Sequence, residues 1–126
     1  MVDVINSGSS RKRVIGYGRV STEEQEANYS LDAQKSRFET LCEQNQWESL
    51  GFHSETASGT SIRERPVLCQ VIQQIKGGGV DALWVKEIDR LTRPENLGDI
   101  SDIAELLAST DTLLIVDTRE ANLQED

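Results

Sequence analysis

Between Val14 and Val116 the sequence alternates short runs of β-branched and apolar residues with longer stretches whose apolar side chains recur at helical spacing, and this alternation is what most restricts the fold. Val14 to Val20 reads as a first strand. Leu31, Phe38, Leu41 and Cys42 share one face of a helix over residues 30–45, and Gln46 to His53 returns as a second strand. Pro66 suits the first position of a helix carrying Val67, Leu68, Val71, Ile72 and Ile75, which Gly77 to Gly79 end. Val80 to Ile88 is the next strand. A helix over residues 95–108 follows with Leu97, Ile100, Ile103, Ala104 and Leu107 inward, then a last short strand from Thr112 to Val116.

Strand regularly followed by helix predicts an α/β fold: a doubly wound, mainly parallel sheet of four to five strands with helices on both faces and right-handed crossovers. Function in such sheets gathers at the carboxyl ends of the strands. The 126 residues make one domain, with 1–12 as a flexible leader, 13–120 as the folded unit and 121–126 as a polar tail. No apolar run approaches membrane-spanning length and no secretory signal is visible, so a cytoplasmic setting is expected.

The net charge of −9 argues against a strongly basic nucleic-acid-binding surface. Its distribution changes that reading. Residues 1–94 carry 12 Lys/Arg and 13 Asp/Glu, whereas residues 95–126 carry one Arg and nine Asp/Glu. A phosphate site therefore fits in the first three quarters of the chain.

Two segments at strand ends carry the chemistry. Tyr17-Gly18-Arg19-Val20-Ser21-Thr22 sets a hydroxyl nucleophile beside a guanidinium whose planar fork can hold two phosphate oxygens. Ser21 and Glu24 also have the spacing of a capping box, so Ser21 either attacks or simply starts a helix. Lys86-Glu87-Ile88-Asp89-Arg90-Leu91-Thr92-Arg93 either aims Arg90 and Arg93 at one anion or is an exposed charged turn. Between them, Glu55 to Thr60 with Arg63 and Arg65 is either a loop that closes over a phosphate or an ordinary connector. Gln34 lies near the apolar face of its helix, turned either to water or toward the site. His53 is the single histidine and no Cys/His ligand spacing exists, so the motifs predict no metal site. Cys42, Cys69, Trp47 and Trp84 read as packing residues.

Taken together, Tyr17-Gly18-Arg19-Val20-Ser21-Thr22, Ser30-Leu31-Asp32-Ala33-Gln34, Ala57-Ser58-Gly59 with Arg65-Pro66, and Asp89-Arg90-Leu91-Thr92-Arg93 resemble the catalytic domain of the serine site-specific recombinases. The likeness covers residues 13–120. It implies that Ser21 attacks a DNA phosphodiester and becomes joined to the 5′ phosphate. Arg19, Arg65, Arg90 and Arg93 would surround that phosphate, with Tyr17, Gln34 and Ser58 in support, while Asp89 orients the arginines or helps protonate the leaving 3′ hydroxyl. It implies no cofactor, neither ATP nor metal. The partners implied are DNA and further copies of the chain, as dimers and synaptic tetramers.

Two features depart from the family pattern. Glu87 stands where relatives often carry a basic residue, and is expected to weaken DNA contact beside the site without touching the reaction. The long dimerisation helix and separate DNA-binding domain of relatives are not found in these residues, so recognition is expected to lie elsewhere. Two rival readings are a non-catalytic regulatory relative and an anion- or partner-binding α/β module with Ser21 as a cap.

Overall fold

A computed structural model of the chain describes residues 11–22, 30–57, 62–91, 97–117 and 119–121. Its centre is a five-stranded sheet in the order β2-β1-β3-β4-β5, with β1 at Arg13–Val20, β2 at Glu48–Thr56, β3 at Ala82–Val85, β4 at Leu113–Val116 and β5 at Arg119–Ala121. The first four strands run parallel, and β5 returns antiparallel to β4. Helix α1 (Leu31–Asn45) covers one face; α2 (Pro66–Lys76) and α3 (Leu97–Ser109) cover the other. This is the doubly wound architecture expected from the alternating pattern.

Strand β1 decides which side chains each face receives. Val14, Gly16 and Gly18 turn toward α1, whereas Ile15, Tyr17 and Arg19 turn toward α2 and α3. The glycines make room: a Cβ on Gly16 would meet the Phe38 ring at 2.9 Å, and one on Gly18 would meet Phe52 at 2.3 Å and the Gln34 amide oxygen at 2.7 Å. Into that space pack Phe38, Phe52 and Trp84, with ring centroids 5.4 to 6.4 Å apart in tilted pairs. The Trp84 indole N–H donates to the Asp117 carbonyl at 2.8 Å, which satisfies its one polar atom.

A bulge in β2 makes this aromatic group possible. Val14 pairs with Ser49 and Gly16 with Phe52, so Ile15 alone faces both Leu50 and Gly51. The additional residue shifts the inward-outward alternation and sends Phe52, rather than Gly51, to the α1 face. Gly51 takes the left-handed backbone at φ 104° that the bulge requires.

Three local expectations change. The third strand stops at Val85, and Ile88–Arg90 coils into a 3₁₀ turn instead of continuing the strand. Leu97 is 73% exposed, because burial in α3 is confined to Ile103, Leu106 and Leu107 in its later turns. Arg119–Ala121, polar in composition, nevertheless adds β5, since an edge strand needs only backbone groups to pair. Of the leader expected over residues 1–12, residues 1–10 lie outside those described, as do the last five residues, while Arg11 donates to the Gln46 and Trp47 carbonyls and Lys12 O accepts from Glu48 N.

Chain order places the working end of the sheet. The chain passes from β1 to its neighbour β2 on one side, then crosses to β3 on the other side of β1. The switch point between β1 and β3 is where, at their carboxyl ends, Ser21 and residues 86–91 emerge, the place where such sheets bind ligands. Gly18→Ala is expected to cost about 1–3 kcal/mol through overpacking against Phe52 and Gln34. Urea unfolding of the variant checks this, and a loss below about 0.5 kcal/mol would show that the close approach is not required.

Candidate active site

Arg19, Arg65 and Arg90 come from three separate segments and are all buried, at 2%, 0% and 3% exposure. A guanidinium cannot shed its charge in a protein, so such burial demands hydrogen bonds. Backbone carbonyls supply them. Arg19 Nη1 donates to Ala57 O at 2.9 Å and its Nε to Arg90 O at 3.4 Å. Arg65 Nη1 donates to the same Arg90 carbonyl at 3.1 Å and also to Leu91 O. Arg90 Nη1 reaches back to Arg19 O at 2.8 Å. The three are thus interlocked through the Arg19 and Arg90 carbonyls, and these acceptors position the groups without cancelling their charge.

The 3₁₀ turn explains the interlock. By curling after Glu87, the chain aims the Arg90 carbonyl at Arg19 and Arg65 while its side chain returns to β1. An extended strand through Ile88 would send successive residues to opposite faces. Ser21, 4% exposed, leaves the end of β1 two residues beyond Arg19, and Thr22 after it has helical backbone. Attack and capping are therefore both compatible with its place in the chain.

Gln34 turns inward. It is 7% exposed, its amide oxygen accepts from the Arg19 N–H at 3.3 Å, and its amide nitrogen donates to the Arg19 carbonyl at 3.3 Å. β3 pairs with β1 only as far as Gly16, so Gln34 gives Arg19 the two hydrogen bonds a longer neighbouring strand would supply. Its amide works on the backbone that carries Arg19. Tyr17 likewise serves the framework: its hydroxyl donates to Glu55 Oε2 at 2.6 Å.

Glu55, read from the sequence only as the start of a loop, has a structural role that the motifs did not show. Besides Tyr17, its carboxylate accepts from Val67 N and Leu68 N, both at 3.0 Å, capping the start of α2. The position that would ordinarily cap that helix is Arg65, whose side chain makes no cap bond. A carboxylate at a helix N-terminus is favoured by the macrodipole, and here it fixes the turn from which Arg65 departs. Asp99 of α3 holds the other side of that turn by accepting from Ile62 N at 3.0 Å, and Arg65 N donates to Ile62 O at 3.0 Å.

Burial first, then the Glu55 hydrogen bond and its negative charge, push the Tyr17 phenol well above its ordinary value, against the opposing charges of Arg65 and Arg19. Burial also pushes the Cys42 thiol up, in keeping with a packing residue. Among the described residues no group of three His, Cys, Asp or Glu side chains could hold a metal ion. Asp89 lies within the 3₁₀ turn. Ser58 and Arg93 fall outside the described residues.

Residues 14–126 match the family model described as resolvase, N-terminal domain. A curated protein, the probable DNA-invertase y4cG of Sinorhizobium fredii, is 35% identical over 101 residues, which cover 80% of this chain and 28% of that protein. The chain therefore spans under a third of that relative. Among solved structures, a resolvase family site-specific recombinase from Streptococcus pneumoniae matches with a TM-score of 0.72 at 30% identity, over 92% of this chain and 78% of that one. The N-terminal catalytic domain of TP901-1 integrase matches at 0.70 and 24% identity, over 83% of this chain and 76% of that one, and bears on the fold.

The Tyr17 environment gives a pH prediction. Its proton stays on in the folded state above the ordinary tyrosine value near 10, where the unfolded chain releases it, so stability is full below that value and falls as pH rises past it. Tyr17→Phe should remove up to about 1.4 kcal/mol per pH unit from that alkaline fall, while costing roughly 1 kcal/mol at neutral pH for the lost bond to Glu55. Urea unfolding between about pH 8 and 11 checks both effects. Identical slopes in the two proteins would contradict the assignment.

Proposed function

Because the chain belongs to the resolvase family, through its match over residues 14–126 to that family's N-terminal domain, we propose that it is the catalytic domain of a site-specific DNA recombinase. It cuts and rejoins strands through a 5′-phosphoserine at Ser21. The observation that carries this reading is the interlock of Arg19, Arg65 and Arg90, whose Arg19 stands two residues before Ser21 at the switch point of the sheet.

In the first step the Ser21 oxygen attacks the scissile phosphorus and its proton passes to a base. The bond from phosphorus to the 3′ oxygen breaks, and that oxygen is protonated as it leaves. The 5′ phosphate remains on Ser21, so the diester bond is exchanged rather than hydrolysed. Rejoining reverses these steps with the 3′ hydroxyl of the partner strand as nucleophile, and neither step as written draws on ATP or a metal.

Arg19, Arg65 and Arg90, with Arg93 as a fourth, stabilise the additional negative charge of the five-coordinate transition state. Ser58 adds a polar contact to the phosphate. Asp89 orients the arginines or supplies the proton to the 3′ oxygen. Gln34 is a positioning residue acting through the Arg19 backbone, and Tyr17 acts through Glu55 on the turn that carries Arg65.

The domain works within a longer recombinase, a reading supported by the small share of the invertase relative that it spans. Other parts of that protein recognise the DNA sequence and assemble dimers and synaptic tetramers. Its place of action is the nucleoid, in the cytoplasm. No helix among the described residues is long and apolar enough to cross a membrane.

The test uses the gene product that carries residues 1–126, with a DNA site nicked near the crossover point so that rejoining is blocked. Protein covalently attached to a 5′ end is expected on a denaturing gel, and Ser21→Ala should abolish it while leaving DNA binding in place. Arg19→Ala or Arg90→Ala should slow its formation by about a hundredfold or more. A covalent band that survives Ser21→Ala would remove the serine from its role.

A further inference from the structure

Arg90 is held differently on its two sides. One amino group, Nη1, is anchored on the Arg19 carbonyl at 2.8 Å. The other, Nη2, faces the carboxylate of Glu87 at 3.6 Å, beyond the usual range of a charge-assisted hydrogen bond. The pair spans a gradient of burial: the Arg90 side chain is 3% exposed and that of Glu87 is 56% exposed. Glu87 occupies the capping position of the 3₁₀ turn, with extended backbone at φ −143° and ψ 151°, yet its side chain makes no cap hydrogen bond. Its carboxylate is therefore neither spent on the turn nor tightly bonded to the arginine.

We propose that Glu87 is a displaceable counter-ion of the phosphate site, covering the outer edge of the Arg90 guanidinium until a DNA phosphate takes its place. The proposal rests on the reading of the arginine cluster as the seat of a phosphodiester. With the carboxylate on the solvent side and 3.6 Å from the guanidinium, the pair is screened by water and makes no close hydrogen bond, so opening it costs little. A phosphate offers two oxygens in the plane of the guanidinium, a better partner than one carboxylate oxygen out of hydrogen-bonding range. Once the phosphate is seated, Glu87 remains nearby as a like charge. At about 4 Å in water such a repulsion weakens binding by roughly fivefold, and by more where solvent is excluded. Glu87 thus lowers the affinity of this domain for any single phosphate and leaves firm binding to contacts made elsewhere on the DNA.

The experiment titrates the 126-residue chain with inorganic sulfate, following the side-chain N–H signals of Arg19, Arg65 and Arg90 by nuclear magnetic resonance. Wild type, Glu87→Gln and Glu87→Asp are compared at low ionic strength. Glu87→Gln is expected to bind sulfate about three- to tenfold more tightly than wild type, and Glu87→Asp, which keeps the charge, to stay within about twofold of it. The difference should shrink as sodium chloride is raised. Equal or weaker binding by Glu87→Gln, with the arginine signals still responding, would overturn the counter-ion role and leave the phosphate site standing. Arginine signals that respond in none of the three proteins would overturn the phosphate reading and the counter-ion role together.

Discussion

Three buried guanidiniums at one end of a parallel sheet are the constraint on which the rest of this structure depends. Each must find acceptors where water is excluded, and sheet ladders leave few carbonyls to spare. The solution uses the ends of elements. The carbonyls of Arg19, Ala57, Arg90 and Leu91 all lie at or just beyond a strand or the 3₁₀ turn. Breaking any one segment would strip carbonyl hydrogen bonds from a buried charge, a larger loss than that expected of a surface pair.

This requirement reaches deep into the core. The Arg19 backbone is held by Gln34, Gln34 fits only because residue 18 has no side chain, and the space beside it is filled by Phe52 through the β2 bulge. On the opposite face Tyr17 and Glu55 hold the start of α2, and with it the departure point of Arg65. Packing and site geometry are thus parts of one arrangement. The apolar layers fix two glycines and a bulge, and these in turn set the backbone that carries the charged side chains.

Much of the framework was legible because its periods are plain: β-branched runs for the strands and stripes at helical spacing for α1 and α2. The segments carrying Arg19, Arg65 and Arg90 were legible as charged sequences at strand and helix ends, but their interlock was not, since carbonyl acceptors have no side-chain signature. Gln34 was ambiguous because its partner is the backbone of a residue 15 positions away. Glu55 was hidden in a loop of small polar residues. A signal did exist: a helix opening at Pro66 with arginine in the capping position needs an acceptor from elsewhere. β5 was masked by its polar composition, and the end of β3 by the apolar Ile88, which is 40% exposed in the turn.

The central claim is that Ser21 becomes the covalent link to DNA, and the site of attachment can be read directly. Trapped protein–DNA adduct, digested with nuclease and then trypsin, would be sequenced by tandem mass spectrometry across the peptide from Val20 to Lys35, which contains Ser21, Thr22, Tyr29 and Ser30. The account predicts a nucleotide 5′-phosphate on Ser21. The same mass on Thr22, Tyr29 or Ser30, or on a peptide elsewhere in the chain, would contradict it.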